Sequence, residues 1–166
     1  MNIFLIGFMG SGKTAMGREL AHRIGYQFMD MDNLIEEETG MSIRMIFNKM
    51  GEADFRTMER ETLEKVILKD RLVISTGGGV PCEPGNMDLI NQHGISVYLK
   101  MDPSALYERL KTRQSTRPLI KDLSEPELKE YISLKLSERE SYYSKAKYTV
   151  DGSRRDVEEI IRLVGL

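Results

Sequence analysis

The sequence contains a single cysteine, no tryptophan and five prolines among its 166 residues. Because Cys82 is alone, a disulfide framework and a metal site built from several cysteines are excluded, and such cysteine usage is typical of a reducing compartment. No run approaches the roughly 18 apolar residues of a transmembrane helix, and the apolar opening MNIFLIGF is too short for a span or a secretory signal. We therefore expect a cytoplasmic protein with no membrane partner.

An excess of charge of either sign is also missing. The chain carries 24 basic and 26 acidic residues, a formal net charge of −2, which gives no electrostatic reason to expect a nucleic-acid partner. At a prior of about 150 residues per domain, the length predicts a single domain spanning residues 1–166. We expect this domain to be a monomer.

Short apolar runs alternate with longer segments of helical period. The runs predict strands at 2–6, 27–29, 72–75, 95–101 and 148–150. The periodic segments predict helices at 14–24, 32–38, 52–69, 103–111 and 126–143, a short turn at 42–47, and a last helix opened by a capping box of Ser153 and Asp156. The polar, unpatterned stretch 113–124 predicts a mobile loop. This alternation predicts an α/β fold with a parallel sheet covered on both faces.

The segment from Gly7 to Thr14 matches the phosphate-binding pattern G-x-x-x-x-G-K-[ST] in full, directly after a predicted strand and at the start of a helix. Such a match arises by chance in roughly 1% of chains of this length. Its backbone N–H groups and helix N-terminus favour a phosphate, its lysine reaches the β and γ phosphates, and its threonine hydroxyl holds Mg²⁺. The predicted nucleotide-binding residues are Gly10, Ser11, Gly12, Lys13, Thr14 and Ala15. The alternative is a glycine-rich turn that binds nothing.

Other landmarks narrow the class of P-loop protein. A GTPase needs an N-K-x-D motif, but the pair Asn48-Lys49 is followed by Met50-Gly51. A helicase or motor ATPase would need a strand that ends in a carboxylate after the P-loop, whereas the third predicted strand ends in Ser75-Thr-Gly-Gly-Gly. The run Tyr148-Thr-Val-Asp151 does end in an aspartate, but it lies just before the last helix, so we do not assign it this role. The pattern therefore favours a kinase that acts on a small molecule.

At this level of detail the chain resembles the shikimate kinases. The resemblance is carried, in order, by GFMGSGKT, FMDMDNLIE, GEADFRTMER, STGGGV, TRPLI and SERESYY, and it runs almost end to end. It implies a nucleoside-monophosphate-kinase-like, three-layer fold with five parallel strands, a substrate-binding insert near 31–60 and a lid near 112–123. It also implies Mg²⁺-dependent transfer of the ATP γ-phosphate to the 3-hydroxyl of shikimate, a step toward aromatic amino acids.

Two aspartates follow the second predicted strand, at the edge of a parallel sheet where ligands bind. By the resemblance, Asp32 accepts hydrogen bonds from substrate hydroxyls and orients or deprotonates the attacking oxygen, while Asp30 organises Mg²⁺ through water. The alternative is that one of the two simply caps the helix that begins at Asn33. Ser75 lies where related kinases place a group near the metal.

The carboxylate of shikimate calls for guanidinium groups, and Arg56 and Arg139 match the positions that bind it in the family. Arg139 also falls within an apolar helical stripe, where a charge needs a partner. Glu59, one turn after Arg56, is placed to orient it and assists substrate binding in the family. The alternatives are a structural ion pair at Arg139 and an ordinary surface pair at Arg56 and Glu59.

The glycines of the STGGGV segment, Gly77, Gly78 and Gly79, allow the backbone to approach a ligand closely, and in the family they lie against the substrate. The aromatic residues Phe47 and Phe55 match apolar walls of the same pocket, or else belong to the core.

The lid supplies the remaining positions. Arg117, in Thr116-Arg117-Pro118, would stabilise the transferring phosphoryl group, or else be a solvent-facing loop arginine. The family stacks an arginine at the start of the lid on adenine, and Arg113 is the candidate, with Arg109 as its alternative. The opposing segment, which often contains a proline in the family, reads Arg155-Asp156-Val157 here, so Arg155 is the expected contact.

Two other functions stay open. A different small P-loop kinase, such as a gluconate or nucleoside-monophosphate kinase, would share most of the nucleotide features. A nucleotide-binding regulator without catalysis would have to lack the chemistry of Lys13, Asp32 or Arg117, and all three are present.

Overall fold

The computed structural model describes residues 1–166 and contains one five-stranded sheet in the order β2-β3-β1-β4-β5, in which every neighbouring pair is parallel. The strands are β1 (Asn2–Ile6), β2 (Gln27–Asp30), β3 (Leu72–Ser75), β4 (Gly94–Lys100) and β5 (Tyr148–Asp151). All five predicted strands are present, and the predicted α/β class with a parallel sheet is confirmed.

Helices connect each strand to the next, as parallel pairing requires, and one more helix follows the last strand. The helices are α1 (Lys13–Ile24), α2 (Met31–Thr39), α3 (Ile43–Met50), α4 (Glu52–Val66), α5 (Asn86–His93), α6 (Pro103–Leu110), α7 (Glu125–Tyr143) and α8 (Val157–Val164). Single 3₁₀ turns occur at Val80–Cys82 and Gln114–Thr116. None of the helices is both long and apolar enough to span a membrane.

Both faces of the sheet are covered, because alternate residues of each strand point to opposite sides. On β1, Phe4 and Ile6 join the larger core, which α4 to α7 complete, while Ile3 and Leu5 join a second core with α1 and α8. The molecule is therefore built from three layers. A third, smaller cluster links α2, α3 and α4 through Ile35, Ile46 and Phe55.

Several local features differ from the sequence-based expectations. Helix α5 was not predicted, and the short turn predicted at 42–47 is the longer helix α3. The capping box at the last helix is wrong: Asp156 itself caps α8 by accepting from the Glu159 N–H at 3.0 Å, while the Ser153 hydroxyl bonds Asp151. Helix α4 ends at Val66 rather than at 69. The predicted mobile loop 113–124 contains a hydrogen bond from the Gln114 side chain to the Ile120 carbonyl at 2.7 Å and a fully buried Ile120 side chain, and its mobility stays a prediction.

Candidate active site

The P-loop joins β1 to α1 and turns through glycines with positive φ. Gly10 and Gly12 have φ values of 81° and 94°, in the left-handed region that glycine adopts without a steric cost. The Lys13 ammonium folds over this turn and donates to the carbonyl oxygens of Gly7 at 2.7 Å and Phe8 at 3.1 Å. Burial lowers the pKa of Lys13 to about 8, against the opposing effect of the nearby Asp32 carboxylate. The turn thus holds a cation in a buried position.

One buried polar atom of the same turn has no partner. The Ser11 hydroxyl is 1% exposed and makes no hydrogen bond, and its Oγ lies inside the curve of the loop near Gly7. An unpaired buried hydroxyl costs free energy that a bound group can restore. The turn of glycines, the buried lysine and this free hydroxyl suit the phosphates of a nucleotide.

Asp30 and Asp32 have different surroundings although only one residue separates them. The Asp30 carboxylate accepts from the Thr14 hydroxyl at 2.9 Å and from the N–H groups of Asp32 and Asn33, so it caps α2. The Asp32 carboxylate makes no such bond. Burial raises the pKa of Asp32, the charge of Asp30 raises it further, and Lys13 opposes the shift. The helix-capping alternative is therefore observed for Asp30, which leaves Asp32 free to face a ligand.

Ser75, at the end of β3, adds a second hydroxyl to the Thr14 hydroxyl and the Asp30 carboxylate. Ser75 is buried and pairs in register with Asp30 across the sheet, and both residues line the same cavity as Thr14. Two hydroxyls and one carboxylate are hard oxygen donors of the kind that Mg²⁺ accepts. No group of three or more His, Cys, Asp or Glu side chains forms a metal cage of its own.

Two cavities flank these residues. One, of about 470 Å³, is lined by P-loop residues and by arginines of the α6 and α8 regions: Gly10, Gly12, Lys13, Thr14, Ala15, Arg109, Arg113 and Arg155. The other, of about 540 Å³, is lined by the glycine loop 77–79 and by side chains of α2, α3, α4 and α7, among them Asp32, Phe47, Phe55, Arg56, Glu59 and Arg139.

Six residues belong to both cavities: Met9, Asp30, Asp32, Gly77, Gly78 and Arg117. The cavities therefore meet at the Asp32 carboxylate, which accepts no hydrogen bond, and at the Arg117 guanidinium. The Arg117 Nε is buried and has no hydrogen-bond partner, and burial lowers the pKa of this arginine, as does the charge of Arg113. Met9 was not anticipated, since it occupies a variable position of the P-loop pattern and only the fold brings it to the junction.

Two of the four arginines that line the larger cavity, Arg56 and Arg139, have different surroundings. Arg56 Nη1 bonds the buried Glu59 carboxylate at 2.6 Å, and Arg56 also lies near Glu52 and Glu83. Burial raises the pKa of Glu59 to about 7, although the charge of Arg56 opposes this. Arg139 stacks over the Phe8 ring at 5.5 Å and forms no ion pair within 4 Å, so the structural ion pair considered above is not observed.

The glycine loop explains why the cavity remains open. A Cβ on Gly79 would lie 2.6 Å from Arg56 Cζ, and a Cβ on Gly77 would lie 2.7 Å from a Glu59 oxygen. A Cβ on Gly78 would come within 3.1 Å of Arg139 Nη1. Each glycine thus lets the backbone approach a different charged side chain of the cavity.

Arg109, the sequence-based alternative to Arg113, has specific contacts with the P-loop. Its guanidinium donates to the carbonyl oxygens of Gly10 and Gly152, both at 3.3 Å, and so bridges the P-loop to the segment after β5. Arg113 and Arg155 line the same cavity without such bonds, and Arg155 has a positive φ of 51°. All three arginines line the cavity that the P-loop also lines, and Arg109 contacts the P-loop directly.

A phosphate-binding turn, an oxygen-rich group beside it and a second cavity with paired guanidiniums define a P-loop kinase that phosphorylates a small anionic acceptor. The shikimate kinase family model matches residues 9–164. Curated shikimate kinases are similar over most of their length: that of Phocaeicola vulgatus is 40% identical, covering 88% of this chain and 83% of the relative, and that of Chlorobium chlorochromatii is 42% identical, covering 98% and 90%. The chain belongs to the shikimate kinase family.

Solved structures agree. The shikimate kinase of Bacteroides thetaiotaomicron superposes with a TM-score of 0.94 at 34% identity, covering 100% of this chain and 99% of that one. The Acinetobacter baumannii enzyme, solved in complex with shikimate, gives a TM-score of 0.88 at 37% identity and covers 98% and 92%. A deoxyadenosine kinase with a TM-score of 0.64 and 14% identity shares the fold alone.

Proposed function

We propose that the protein transfers the γ-phosphate of Mg·ATP to the 3-hydroxyl of shikimate, giving 3-phosphoshikimate and ADP in the pathway to aromatic amino acids. The observation that carries this assignment is the junction of the two cavities at Asp32 and Arg117. A triphosphate on one side and a hydroxylated ring acid on the other would bring the reacting atoms together at this junction.

On the nucleotide side, the P-loop N–H groups, the Ser11 hydroxyl and Lys13 bind the phosphates. Lys13 must leave the carbonyl oxygens of Gly7 and Phe8 to reach them, and the negative phosphates then favour its charged form. Arg109, Arg113 and Arg155 bind the base and ribose end. Thr14, Asp30 and Ser75 would hold Mg²⁺, which neutralises charge on the phosphates when bound.

On the acceptor side, Arg56 and Arg139 bind the ring carboxylate, with Glu59 orienting Arg56. The glycine loop and the walls formed by Phe47 and Phe55 fit the ring. The cavity volume of about 540 Å³ is ample for a small ring acid.

In the transfer, the 3-oxygen of shikimate attacks the γ-phosphorus, the bond from that phosphorus to the β–γ bridging oxygen breaks, and the hydroxyl proton passes to Asp32. The raised pKa of Asp32 makes its carboxylate a stronger proton acceptor than an exposed aspartate. Arg117, which lines both cavities, stabilises the charge on the transferring group.

The proposal also includes closure of two segments over the bound substrates. Residues 31–60, which share the small cluster of Ile35, Ile46 and Phe55, form the substrate-binding insert, and residues 112–123 form the lid. Closing both over the substrates would exclude water that otherwise hydrolyses ATP. The single domain 1–166, the monomeric state and the cytoplasmic location stay predictions from the sequence.

An ADP-release assay with ATP and Mg²⁺ tests the assignment against its rivals. We expect turnover with shikimate, and background release with gluconate or a nucleoside monophosphate. A nucleoside monophosphate lacks shikimate's combination of carboxylate and hydroxyls, and gluconate carries these groups on an open, flexible chain rather than on a ring. The matched control is Asp32→Asn, which keeps the shape of the side chain and removes its charge. Turnover with a nucleotide acceptor, or none with shikimate, would reject the proposal.

A further inference from the structure

The carbonyl group of Gly78 is held from behind by a buried tyrosine. The Tyr143 hydroxyl donates to the Gly78 carbonyl oxygen at 2.7 Å, and the side chain of Tyr143 is fully buried. The other polar atom near that oxygen is Cys82 Sγ, at 4.0 Å, where a sulfur contact is weak. The neighbouring carbonyls of Gly77 and Gly79 accept from the Val80 and Cys82 N–H groups at 3.1 and 3.0 Å, so within this loop it is the Gly78 carbonyl that depends on a side-chain hydroxyl.

The hydroxyl is a dependable donor. Burial raises the pKa of Tyr143, so the group stays protonated throughout the neutral range. Its ring packs against the buried Tyr98 ring at a centroid distance of 5.1 Å, and the Tyr98 hydroxyl is itself fixed on the Glu140 carboxylate at 2.7 Å. The phenol group is thus held in one orientation by its neighbours.

Fixing one carbonyl also fixes the adjacent N–H. In a trans peptide the C=O and N–H groups point to opposite sides of the plane, so holding the Gly78 oxygen on Tyr143 directs the Gly79 N–H away from α7. The amide N–H groups of Gly77, Gly78 and Gly79 find no acceptor within the protein, and all three residues line the larger cavity. An unpaired N–H at a cavity wall is available to an anionic or hydroxylated ligand.

Tyr143 also lies one helical turn after Arg139, so both side chains leave the same face of α7. The Arg139 guanidinium and the Tyr143 hydroxyl both lie within 4 Å of the point where a Cβ on Gly78 would sit. Helix α7 therefore supplies the Arg139 guanidinium to the cavity and, through Tyr143, sets the distance between that guanidinium and the glycine loop.

From this geometry we propose that Tyr143 is a positioning residue for the acceptor substrate: its hydrogen bond to Gly78 orients the Gly78–Gly79 peptide toward the ligand and keeps the loop in register with Arg139. The proposal rests on the function proposed above, because the ligand concerned is shikimate. Without the hydroxyl, the peptide plane turns more freely and the N–H of Gly79 is no longer presented to the substrate.

The test compares Tyr143→Phe with Tyr98→Phe. Both variants keep a buried ring and lose one hydroxyl, but only the first loses the bond to Gly78. We expect Tyr143→Phe to raise the KM for shikimate about tenfold while kcat stays within threefold and the KM for ATP is unchanged. Tyr98→Phe should shift the shikimate KM by less than about twofold. An unchanged KM in Tyr143→Phe, or an equal rise in both variants, would overturn the proposal.

Two further measurements distinguish a loss of positioning at the Gly78–Gly79 peptide from a general loosening of the protein. Hydrogen exchange of residues 76–82 without substrate should be faster in Tyr143→Phe than in the wild type or Tyr98→Phe, and an equal rate would refute the link. Replacing Tyr143 by p-aminophenylalanine, which keeps a donor at the same ring position, should restore the shikimate KM, and failure to restore it would count against the hydrogen bond. If the wild type does not phosphorylate shikimate, the proposed function fails, while the exchange data still report on the bond to Gly78.

Discussion

Replacing Gly79 by alanine should weaken shikimate binding without weakening the fold. Gly79 has φ −88° and ψ −16°, which alanine adopts without strain. The added Cβ would, however, lie 2.6 Å from Arg56 Cζ and 2.7 Å from Arg56 Nη2. Because the optimal separation of such atoms is about 3.5–4.0 Å, the guanidinium must move by roughly 1 Å.

The size of the effect follows from what Arg56 is proposed to hold. A hydrogen bond to a charged group contributes about 1.5–3 kcal/mol. Losing one such bond to the substrate carboxylate corresponds to a rise of about 10- to 150-fold in the KM for shikimate. The free energy of unfolding should change much less, since alanine at a compatible backbone conformation stabilises by about 0.4–1 kcal/mol and offsets part of the disturbance at Arg56.

Steady-state kinetics with varied shikimate at saturating ATP measures the first effect, and urea unfolding measures the second. Gly78→Ala is the matched comparison, because its Cβ would approach Arg139 Nη1 only to 3.1 Å, and we expect a smaller rise in KM. The reasoning is refuted if Gly79→Ala leaves the shikimate KM within twofold of the wild type, or if its loss of activity matches a loss of folded protein.

Three other substitutions test separate parts of the site. Lys13→Met should reduce kcat by at least about 10³-fold. Because burial lowers the pKa of Lys13 to about 8 from 10.5, the charged lysine destabilises the fold by about 3 kcal/mol below pH 8; wild-type stability should therefore rise relative to Lys13→Met between pH 8 and 10.5, and parallel unfolding curves would contradict the burial argument. Arg117→Ala should lower kcat by about 10³-fold or more with ATP binding retained in a titration, and a loss of ATP affinity instead would place this arginine on the ground-state nucleotide. Arg139→Ala should raise the shikimate KM more than it lowers kcat, and an unchanged KM would remove its assigned role.

The parts of the fold that depend on local pattern were predictable from the sequence. The five strands are short apolar runs bounded by turns. The P-loop is a contiguous motif whose glycines allow the backbone to turn around a phosphate. The start of α8 was not predictable in the same way, because Ser153 and Asp156 both favour caps. Only the tertiary structure shows that the Ser153 hydroxyl bonds Asp151 and leaves the cap to Asp156.

The acceptor cavity depends on residues far apart in the sequence. Arg56 and Arg139 were proposed from a family resemblance, and helical periodicity added only that Arg139 interrupts an apolar stripe. No sequence pattern indicates that Gly79 lies under the Arg56 guanidinium or that Met9 reaches both cavities. The double role of Asp30, which caps α2 and bonds Thr14, likewise depends on how β2 and α1 approach each other.

The central claim is that the cavity of about 540 Å³ receives a hydroxylated ring acid facing a nucleotide held by the P-loop. A crystal structure with shikimate and a non-hydrolysable ATP analogue tests it most directly. It should show the carboxylate within about 3.2 Å of the guanidinium groups of Arg56 and Arg139, and the 3-hydroxyl between Asp32 and the γ-phosphate. Shikimate bound elsewhere, or a purine base in this cavity, would contradict the account.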